Sequence, residues 1–268
     1  IPPSFTPKKK FIFKNQVTKE FDVIISCGRK SVIPSIILKK NSSKKVVNIH
    51  IQNPKVSLDN FDIIVAPDHD SIEGSNVLIS KGAIHYLTSD EINKAKVYLE
   101  DKIENQKEVI TLILGGPNKY YNYDNESMIQ IFSKINKQIV EKNMQLIVIP
   151  SNRTPEKTIQ FAKEYFNKNR LIVESVDKKA YLSSLAMSKY IVVTCDSSSM
   201  ISEAALTGKP VYVAMIPPKR NDKRFRKFRS LFEELNIIKE LGNELTSWSY
   251  KSLDETKRIA LIIKEQLK

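Results

Sequence analysis

The sequence is poor in the features that mark secreted and membrane-spanning proteins. Its two cysteines, Cys27 and Cys195, are too few for a disulfide framework, and each lies close after an apolar strand where a small buried thiol fits. No apolar run approaches the roughly 20 residues that a membrane span needs. There is no initiator Met and no signal peptide, and the opening Ile1-Pro2-Pro3 is typical of the middle of a longer chain. These absences predict a protein of the reducing cytoplasm.

The chain carries an excess of positive charge but lacks the pattern of a nucleic-acid binder. The formal net charge is +13, which suits nucleic acid, anionic lipid and phosphorylated ligands alike. Aromatic residues are not interleaved with the basic ones as they are in single-strand binders, so no nucleic-acid partner is predicted. The abundance of Lys, Asn and Ile offers another explanation for the charge, because AT-rich bacterial genomes produce such compositions.

Short apolar strands alternate with helices through the 268 residues. This alternation is typical of α/β proteins in which parallel sheets are covered on both faces. Residues 25–31 and 193–199 share a pattern of strand followed by small polar turn, which predicts two Rossmann-like domains facing a cleft, with ligands at the carboxyl ends of the strands. The predicted N-terminal domain spans residues 1–104 and the C-terminal domain residues 105–250, while 251–268 form a last helix that can cross back to the N-terminal domain.

Residues 191–213 (IVVTCDSSSMISEAALTGKPVYV) read as strand, polar turn, short helix, Gly-Pro stop and second strand. The turn consists of four small polar residues, Asp196, Ser197, Ser198 and Ser199. Such a turn leaves the first N–H groups of the helix accessible, and the positive end of the helix dipole favours an anion there. Glu203 lies one turn further, and helical side chains lean toward the N-terminus, so its carboxylate can reach the same site. A capping box is disfavoured because the residue three positions before it is Met, whereas a solvated helix Glu remains the alternative.

A basic amphipathic segment follows this stretch. Its cations run from Lys219 to Arg229, and apolar residues recur at helical spacing: Phe225, Phe228, Phe232 and Leu235. One interpretation is a helix that packs on its own domain and leaves a cationic face in solvent. The other is contact with an anionic membrane surface or substrate, where each basic residue is worth about 1 kcal/mol.

Three segments carry a family resemblance: residues 109–120 (VITLILGGPNKY), 151–155 (SNRTP) and 194–213 (TCDSSSMISEAALTGKPVYV). Shorter segments agree with them at 27–29, 50–54, 66–70 and 82–85. Together they resemble the mitochondrial-fission "elongated mitochondria" family over nearly the whole chain. The resemblance implies the GT-B fold of glycosyltransferases and sugar-nucleotide epimerases. Family members usually begin with one more strand, so the N-terminal domain is expected to lack its first strand.

The resemblance implies a donor site for a nucleotide-diphosphate sugar in the C-terminal domain, with no tightly bound cofactor. The diphosphate is expected at the turn of Asp196, Ser197, Ser198 and Ser199, and the ribose at Glu203. The Gly115-Gly116 turn is expected to approach the diphosphate, because glycine permits close backbone approach. Asn118 and Arg153 follow neighbouring strands and are expected in the same cleft. Arg153 suits a phosphate geometrically, although a surface Arg near a helix start remains the alternative.

The acceptor side holds the candidate catalytic residues. An inverting transferase needs a base that takes a proton from the attacking hydroxyl. Strand ends in the N-terminal half carry four candidates, His50, Asp68, His69 and Asp70. His69 between two aspartates can act as a tuned base, or it can be an interfacial residue while one Asp orients the loop. No second ligand cluster accompanies these residues, so no metal site is predicted.

The leading hypothesis is a GT-B glycosyltransferase that works in the cytoplasm, peripherally at the inner membrane, on a lipid-linked or envelope acceptor. A sugar-nucleotide epimerase is the first alternative. A non-catalytic adaptor that recruits a dynamin-like partner, in the manner of the plant fission factor, is the second. A fold does not decide between them.

Overall fold

A computed structural model describes residues 20–104, 107–167 and 170–268. The chain divides into two compact units. The first comprises Ile1–Ile84 with Glu255–Lys268, and the second comprises His85–Asp254. Each unit contains a parallel sheet with helices, so the α/β class expected from the alternation of strands and helices is confirmed.

The first unit is a four-stranded parallel sheet in the order β1-β2-β3-β4. Its strands are β1 (Val23–Cys27), β2 (Val47–Ile51), β3 (Ile63–Pro67) and β4 (Val77–Ser80), and its helices are α1 (Val32–Lys40) and α9 (Glu255–Gln266). One small core contains Val32 of α1 with Phe61 and Ile64, and another contains Ile49 and Ile63 with Ile259 of α9. The two helices therefore bury different sets of sheet residues.

The last helix belongs to this first unit although it is remote in sequence. The Glu255 carboxylate accepts a hydrogen bond from the Lys81 N–H at 2.7 Å, and Arg258 donates to the Ile79 carbonyl at 2.8 Å. Beside α9, an apolar groove of about 580 Å³ is lined by Ile25, Ile51 and Leu267 among others. Ile25 remains largely exposed on β1, so the apolar face of the sheet is only partly covered by the described residues.

The second unit is a six-stranded parallel sheet in the order β10-β9-β8-β5-β6-β7. Its strands are β5 (Val109–Leu114), β6 (Gln145–Pro150), β7 (Arg170–Ile172), β8 (Ser188–Thr194), β9 (Val211–Ala214) and β10 (Ile238–Glu240). Its helices are α2 (Ser89–Ala95), α3 (Val97–Glu100), α4 (Asn125–Glu141), α5 (Glu156–Tyr165), α6 (Lys178–Met187), α7 (Ser198–Ala205) and α8 (Lys223–Glu234). Counted within this unit, the strand order is 3-2-1-4-5-6, which is the doubly wound Rossmann order.

Local sequence explains where these elements begin. The inner strands β5 and β6 are buried throughout and, apart from Thr111 and Gln145, apolar, as strands covered on both faces must be. The pattern Thr88-Ser89-Asp90-Glu91 predicts a capping box that opens a helix to about residue 101. Thr88 and Glu91 do form that capping box, but the structure breaks the helix at Lys96 into α2 and α3. The sequence also predicts Asn125 as the cap of the next helix, whereas the N-cap of α4 is Asp124, which accepts from the Ser127 N–H.

The unit boundaries lie elsewhere than the predicted domain boundaries. Residues 85–104 group with the second unit rather than with the N-terminal half, because α2 and α3 pack on α6, and the Leu99 N–H donates to Ser183 at 3.2 Å. The second boundary falls after Asp254. Of the predicted N-terminal domain, residues 1–19 lie outside the described part of the chain. Within that part, no helix combines the length and the hydropathy that crossing a membrane requires.

Candidate nucleotide-sugar site

The candidate site lies at the carboxyl ends of β5 and β8, the two neighbouring strands at which the strand order of the second sheet reverses. Ligands of doubly wound folds bind at this switch point. The turn after β5 and the turn after β8 are joined directly: the Gly115 N–H donates to Thr194 Oγ1 at 2.8 Å, and the Gly116 N–H donates to Asp196 Oδ2 at 3.0 Å. The Gly115-Gly116 turn and the turn at Asp196 are therefore parts of one hydrogen-bonded site.

Asp196 joins three loops of this edge. Its side chain is fully buried and accepts from Arg153 at 2.7 Å and from the Tyr123 hydroxyl at 2.6 Å, in addition to Gly116. Arg153 also donates to the Gly116 carbonyl at 2.7 Å. A carboxylate with these donors and no exposed surface cannot bind a ligand itself. Asp196, predicted to bind the donor, is placed instead as a residue that positions the loops around it.

The two glycines are explained by this packing. A Cβ on Gly115 would overlap the Asp196 carboxylate, and a Cβ on Gly116 would overlap the backbone of Arg153. Their N–H groups already have protein acceptors. Close packing between the turns therefore accounts for glycine at positions 115 and 116. The expected contact with a diphosphate is not needed to explain either residue.

Asn118 and Arg153 also have protein partners. The Asn118 side chain accepts from the N–H groups of Tyr120 and Tyr121 and donates to the Asp196 carbonyl at 3.3 Å, which closes the loop after β5. The side chain of Arg153 is 41% exposed, so its guanidinium can meet a ligand at the edge while it stays paired to Asp196.

The first turn of α7 supplies the accessible donors of the site. Ser197 is the N-cap, and its hydroxyl accepts from the Met200 N–H. The helix begins at Ser198, two residues earlier than the predicted start at Met200. Among the described residues the N–H groups of Ser198 and Ser199 have no protein acceptor, as expected for the start of a helix. The prediction that this turn presents free N–H groups therefore narrows to these two serines.

Glu203 is largely buried one turn along α7, so the alternative of a fully solvated Glu does not describe it. Its carboxylate accepts from the Tyr181 hydroxyl of α6 at 2.6 Å. Burial raises the pKa of Glu203, while the Tyr181 hydrogen bond opposes that rise. Burial and the neighbouring carboxylate raise the pKa of Tyr181, so its hydroxyl keeps the proton that it donates to Glu203. Glu203 is therefore oriented before any ligand arrives.

Residues at the start of the second unit lie against these two helices. The His85 ring is bonded to the backbone of Leu87 and of Ser202 in α7, and burial lowers its pKa. The next residue, Tyr86, keeps 66% of its surface exposed. The Lys178 ammonium, at the start of α6, lies 4.5 Å from the centroid of the Tyr86 ring.

The basic helix α8 is anchored through a buried ion pair. Asp222 accepts from the Tyr121 hydroxyl at 2.6 Å and from Arg229 at 3.1 Å, and both ends of the pair are almost fully buried. Burial alone would raise the pKa of Asp222, but the Tyr121 and Arg229 hydrogen bonds lower it below its usual range. Arg229, counted in the predicted cationic surface, is therefore unavailable to a partner.

The predicted catalytic residues lie in the first unit. His50 has no exposed surface, its Nδ1 lies 2.8 Å from the Ser26 hydroxyl, and burial lowers its pKa to about 4. We therefore drop His50 as a candidate base. Asp68, His69 and Asp70 form a 3-10 turn directly after β3, with His69 buried and both aspartates partly exposed. Among the described residues, no three His, Cys, Asp or Glu side chains are grouped as metal ligands would be.

Comparison with known proteins assigns the family. The family model described as mitochondrial fission ELM1 matches residues 3–267. The chain belongs to the mitochondrial fission ELM1 family. An uncharacterised Rickettsia prowazekii protein is 28% identical to it, with 92% of this chain and 80% of that protein covered. The Arabidopsis thaliana mitochondrial fission protein ELM1 is 25% identical over 91% of this chain, which spans only 64% of that protein's length. The family expected from the sequence motifs is confirmed.

Solved structures place this ELM1-family chain among GT-B proteins. A UDP-GlcNAc 2-epimerase from Methanocaldococcus jannaschii matches with a TM-score of 0.52 at 15% identity, over 91% of this chain and 77% of that one. A UDP-GlcNAc 2-epimerase from Neisseria meningitidis, bound to UDP-GlcNAc, matches with a TM-score of 0.52 at 14% identity, over 91% and 69%. At such identities the likeness shows the fold, which confirms the expected GT-B class.

Sequence analysis missed three residues that hold the site together, Thr194, Tyr123 and Tyr181, and gave no role to Tyr86. Tyr123 lies in the Tyr-rich loop at residues 118–124, where no local pattern assigns it a role, and Thr194 is the last residue of β8. Tyr181 carries no local signal, because its partner Glu203 is 22 positions away. Tyr86 directly follows the segment at 82–85 that contributed to the family resemblance.

Proposed function

We propose that this chain binds a nucleotide-diphosphate sugar at the first turn of α7 and transfers the sugar to a membrane or envelope acceptor. The observation that carries the proposal is the combination of two free N–H groups, at Ser198 and Ser199, with the partly buried and oriented Glu203 one turn away. Diphosphate oxygens suit helix N-terminal N–H groups, and a carboxylate accepts hydrogen bonds from ribose hydroxyls.

The same helix terminus supports the chemistry of transfer. When the sugar leaves the nucleotide, negative charge grows on the diphosphate, and fixed N–H donors with the helix dipole stabilise that charge. The attacking hydroxyl must lose a proton to a base. With His50 excluded by burial, the candidates are Asp68 and Asp70, which are partly exposed at the carboxyl end of β3, and His69 between them. We propose one of the two aspartates as the base, with His69 as its neighbour in the same turn.

Calorimetry with UDP-GlcNAc, UDP-glucose and GDP-mannose tests donor binding. We expect Glu203→Gln to lower the affinity for the best-binding nucleotide sugar by about tenfold or more, since hydrogen bonds to a charged group contribute ~1.5–3 kcal/mol. Glu141→Gln, an exposed glutamate at the end of α4, is the matched control and should bind like the wild type. Absence of binding to every nucleotide, or equal affinity in Glu203→Gln, would overturn the proposal.

An epimerase is the second candidate, favoured by the names of the two structural neighbours and by the two aspartates of the turn after β3, Asp68 and Asp70. NMR of the products separates the two enzymes: an epimerase releases an altered sugar without any acceptor, whereas a transferase consumes the donor only when an acceptor is present. The third candidate is an adaptor, favoured by the name of the Arabidopsis relative. Partner capture that survives Glu203→Ala, without turnover of any nucleotide sugar, would favour it.

Exposed cations before and at the start of α8 support the proposed contact with a membrane. Six cations of this segment are exposed: Lys219, Arg220, Lys223, Arg224, Arg226 and Lys227. The aromatic residues Phe228 and Phe232 are buried in the core of the second unit. A contact with anionic lipid through α8 is therefore electrostatic and involves no insertion of these rings. It would hold the enzyme beside a lipid-linked acceptor, peripherally at the cytoplasmic face of the inner membrane.

A further inference from the structure

We infer that Tyr86 is the stacking platform for the nucleobase of the bound nucleotide. The inference rests on the proposed function, because it assumes that a nucleotide binds at α7. It adds a residue that the donor site predicted from the sequence did not contain, and it explains an aromatic side chain that is otherwise left largely in solvent.

The first support is the position of Tyr86 relative to Glu203. The Lys178 ammonium lies 4.5 Å from the Tyr86 ring centroid, and Tyr181 lies one turn after Lys178 on the same face of α6. Tyr181 in turn holds the Glu203 carboxylate at 2.6 Å. His85, the neighbour of Tyr86, is bonded to the backbone of Ser202. Tyr86 is therefore attached to the same two helices that hold the candidate ribose acid.

The second support is the order of the chemical groups. Ser199 at the helix start and Glu203 are four residues apart, which is about 6 Å along a helix. A nucleotide presents diphosphate, ribose and base in that order, because the two ends attach to opposite sides of the sugar. In this chain the corresponding groups are connected in that order: the free N–H group of Ser199, the Glu203 carboxylate and, through Tyr181 and Lys178 of α6, the Tyr86 ring.

The third support is the state of the ring. Tyr86 is 66% exposed, so most of its surface is available to a ligand. The Lys178 ammonium lies over the ring in a cation–π contact and adds a positive charge beside it. Stacking between a base and an aromatic side chain tolerates every base, since each has a π-face. The platform therefore raises affinity for nucleotides without selecting among bases.

Calorimetry with UDP, GDP, ADP and inorganic pyrophosphate on the full chain tests the inference. We expect Tyr86→Ala to lower the affinity for the best-binding nucleotide by about tenfold, as the loss of one stacked base does. Pyrophosphate affinity should stay within about twofold, because pyrophosphate has no base to stack. Tyr86→Phe and Tyr86→Trp keep an aromatic face and should retain nucleotide affinity. In saturation-transfer NMR, the base protons of UDP should lose signal relative to the ribose protons in Tyr86→Ala.

Tyr98→Ala is the matched control, since Tyr98 is an exposed tyrosine with the Lys179 ammonium 5.9 Å from its ring, but its hydroxyl is bonded to Asp177. It should leave nucleotide affinity unchanged. If Glu203→Gln weakens nucleotide binding and Tyr86→Ala does not, the inference fails while the proposed function stands. If Tyr86→Ala weakens the binding of pyrophosphate as much as that of UDP, the substitution disturbs the fold of the site and the inference also fails. If the wild type binds no nucleotide, the proposed function and the inference fall together.

Discussion

At the residue scale, Asp196 shows how a side chain can resemble a ligand group in sequence and serve the fold instead. It follows a strand at the switch point, which is where ligand-binding residues of such folds occur. Its three donors, Gly116, Arg153 and Tyr123, all come from the chain itself. The residue that remains for a ligand is Glu203, whose single bond to Tyr181 leaves acceptor capacity on the carboxylate.

Replacement of Asp196 should therefore affect stability first. We expect Asp196→Asn to lower the free energy of unfolding by about 2–3 kcal/mol, because a buried acceptor of charge-assisted hydrogen bonds loses its charge. Glu108→Gln is the control: its partner Lys189 and Glu108 are both exposed, and such pairs contribute only about 0–1 kcal/mol. Urea unfolding measures both variants. Equal losses of stability in Asp196→Asn and Glu108→Gln would show that Asp196 does not hold the three loops together.

His50 gives a pH dependence with a defined sign. Its folded-state pKa of about 4 lies below the usual histidine value of 6.5, so between these pH values the unfolded chain binds more protons. Stability of the first unit should fall as pH drops from 6.5 toward 4, by up to about 3 kcal/mol. His50→Asn should flatten this dependence in unfolding monitored by circular dichroism. An NMR titration of the His50 ring near pH 6.5 would contradict the prediction.

At the scale of elements, α7 combines two functions of a helix start that one substitution can separate. Ser197→Ala removes the cap and should cost about 1 kcal/mol of stability. Ser197→Asp keeps a good cap and suits the helix dipole, but its charge opposes an anionic ligand. We expect Ser197→Asp to unfold like the wild type while nucleotide-sugar affinity falls by about tenfold, as a like charge in the site implies.

The cap of α4 provides the control for that experiment. Asp124→Ala removes the bond from the Ser127 N–H, 2.8 Å long, and should cost about as much stability as Ser197→Ala. Nucleotide-sugar affinity should not change, because α4 makes no part of the proposed site. If Ser197→Asp binds the donor as tightly as the wild type does, the diphosphate is not at the start of α7.

The exposed cations from Lys219 to Lys227, before and at the start of α8, give another test at this scale. Arg220→Ser with Lys223→Ser should weaken binding to phosphatidylserine-containing vesicles by about 30-fold, since each cation near the surface contributes about 1 kcal/mol. Binding should also fall with added salt, which screens exposed charges. Lys137→Ser with Lys157→Ser, two exposed lysines of α4 and α5, removes the same charge elsewhere. Equal losses in both pairs would indicate a response to net charge and not to α8.

The elements that sequence analysis predicted well are those with a strong local signal. Apolar runs gave β5, β6 and β8, and the Thr88 capping box gave the start of α2. The partners of Asp196 were not predictable, because the loops after β5, β6 and β8 meet only when the sheet forms, and Tyr181 meets Glu203 only when α6 packs beside α7. Helix starts at α4 and α7 were misplaced by one or two residues, since several adjacent polar residues can cap.

At the scale of the whole molecule, the two units differ in the core that each contains. The second unit has one continuous core that covers both faces of a six-stranded sheet. In the described part of the first unit, the buried hydrophobic residues fall into two small clusters beside a partly exposed sheet face. Stability from apolar burial scales with the area removed from water, so the first unit is expected to be the weaker one.

Unequal units should unfold at different denaturant concentrations, and the single tryptophan makes this visible. Trp248 packs on Tyr212 with ring centroids 5.0 Å apart and so reports the second unit, whereas circular dichroism reports both. We expect the dichroism transition to begin at lower urea than the fluorescence transition. Ile49→Ala, in the first unit, should lower the urea midpoint of the early transition only, because loss of a buried Ile side chain typically costs ~2–5 kcal/mol of stability. Ile147→Ala, in the second unit, should lower the urea midpoint of the fluorescence transition. Coincident transitions in the wild type and both variants would show instead that the two units unfold as one cooperative structure.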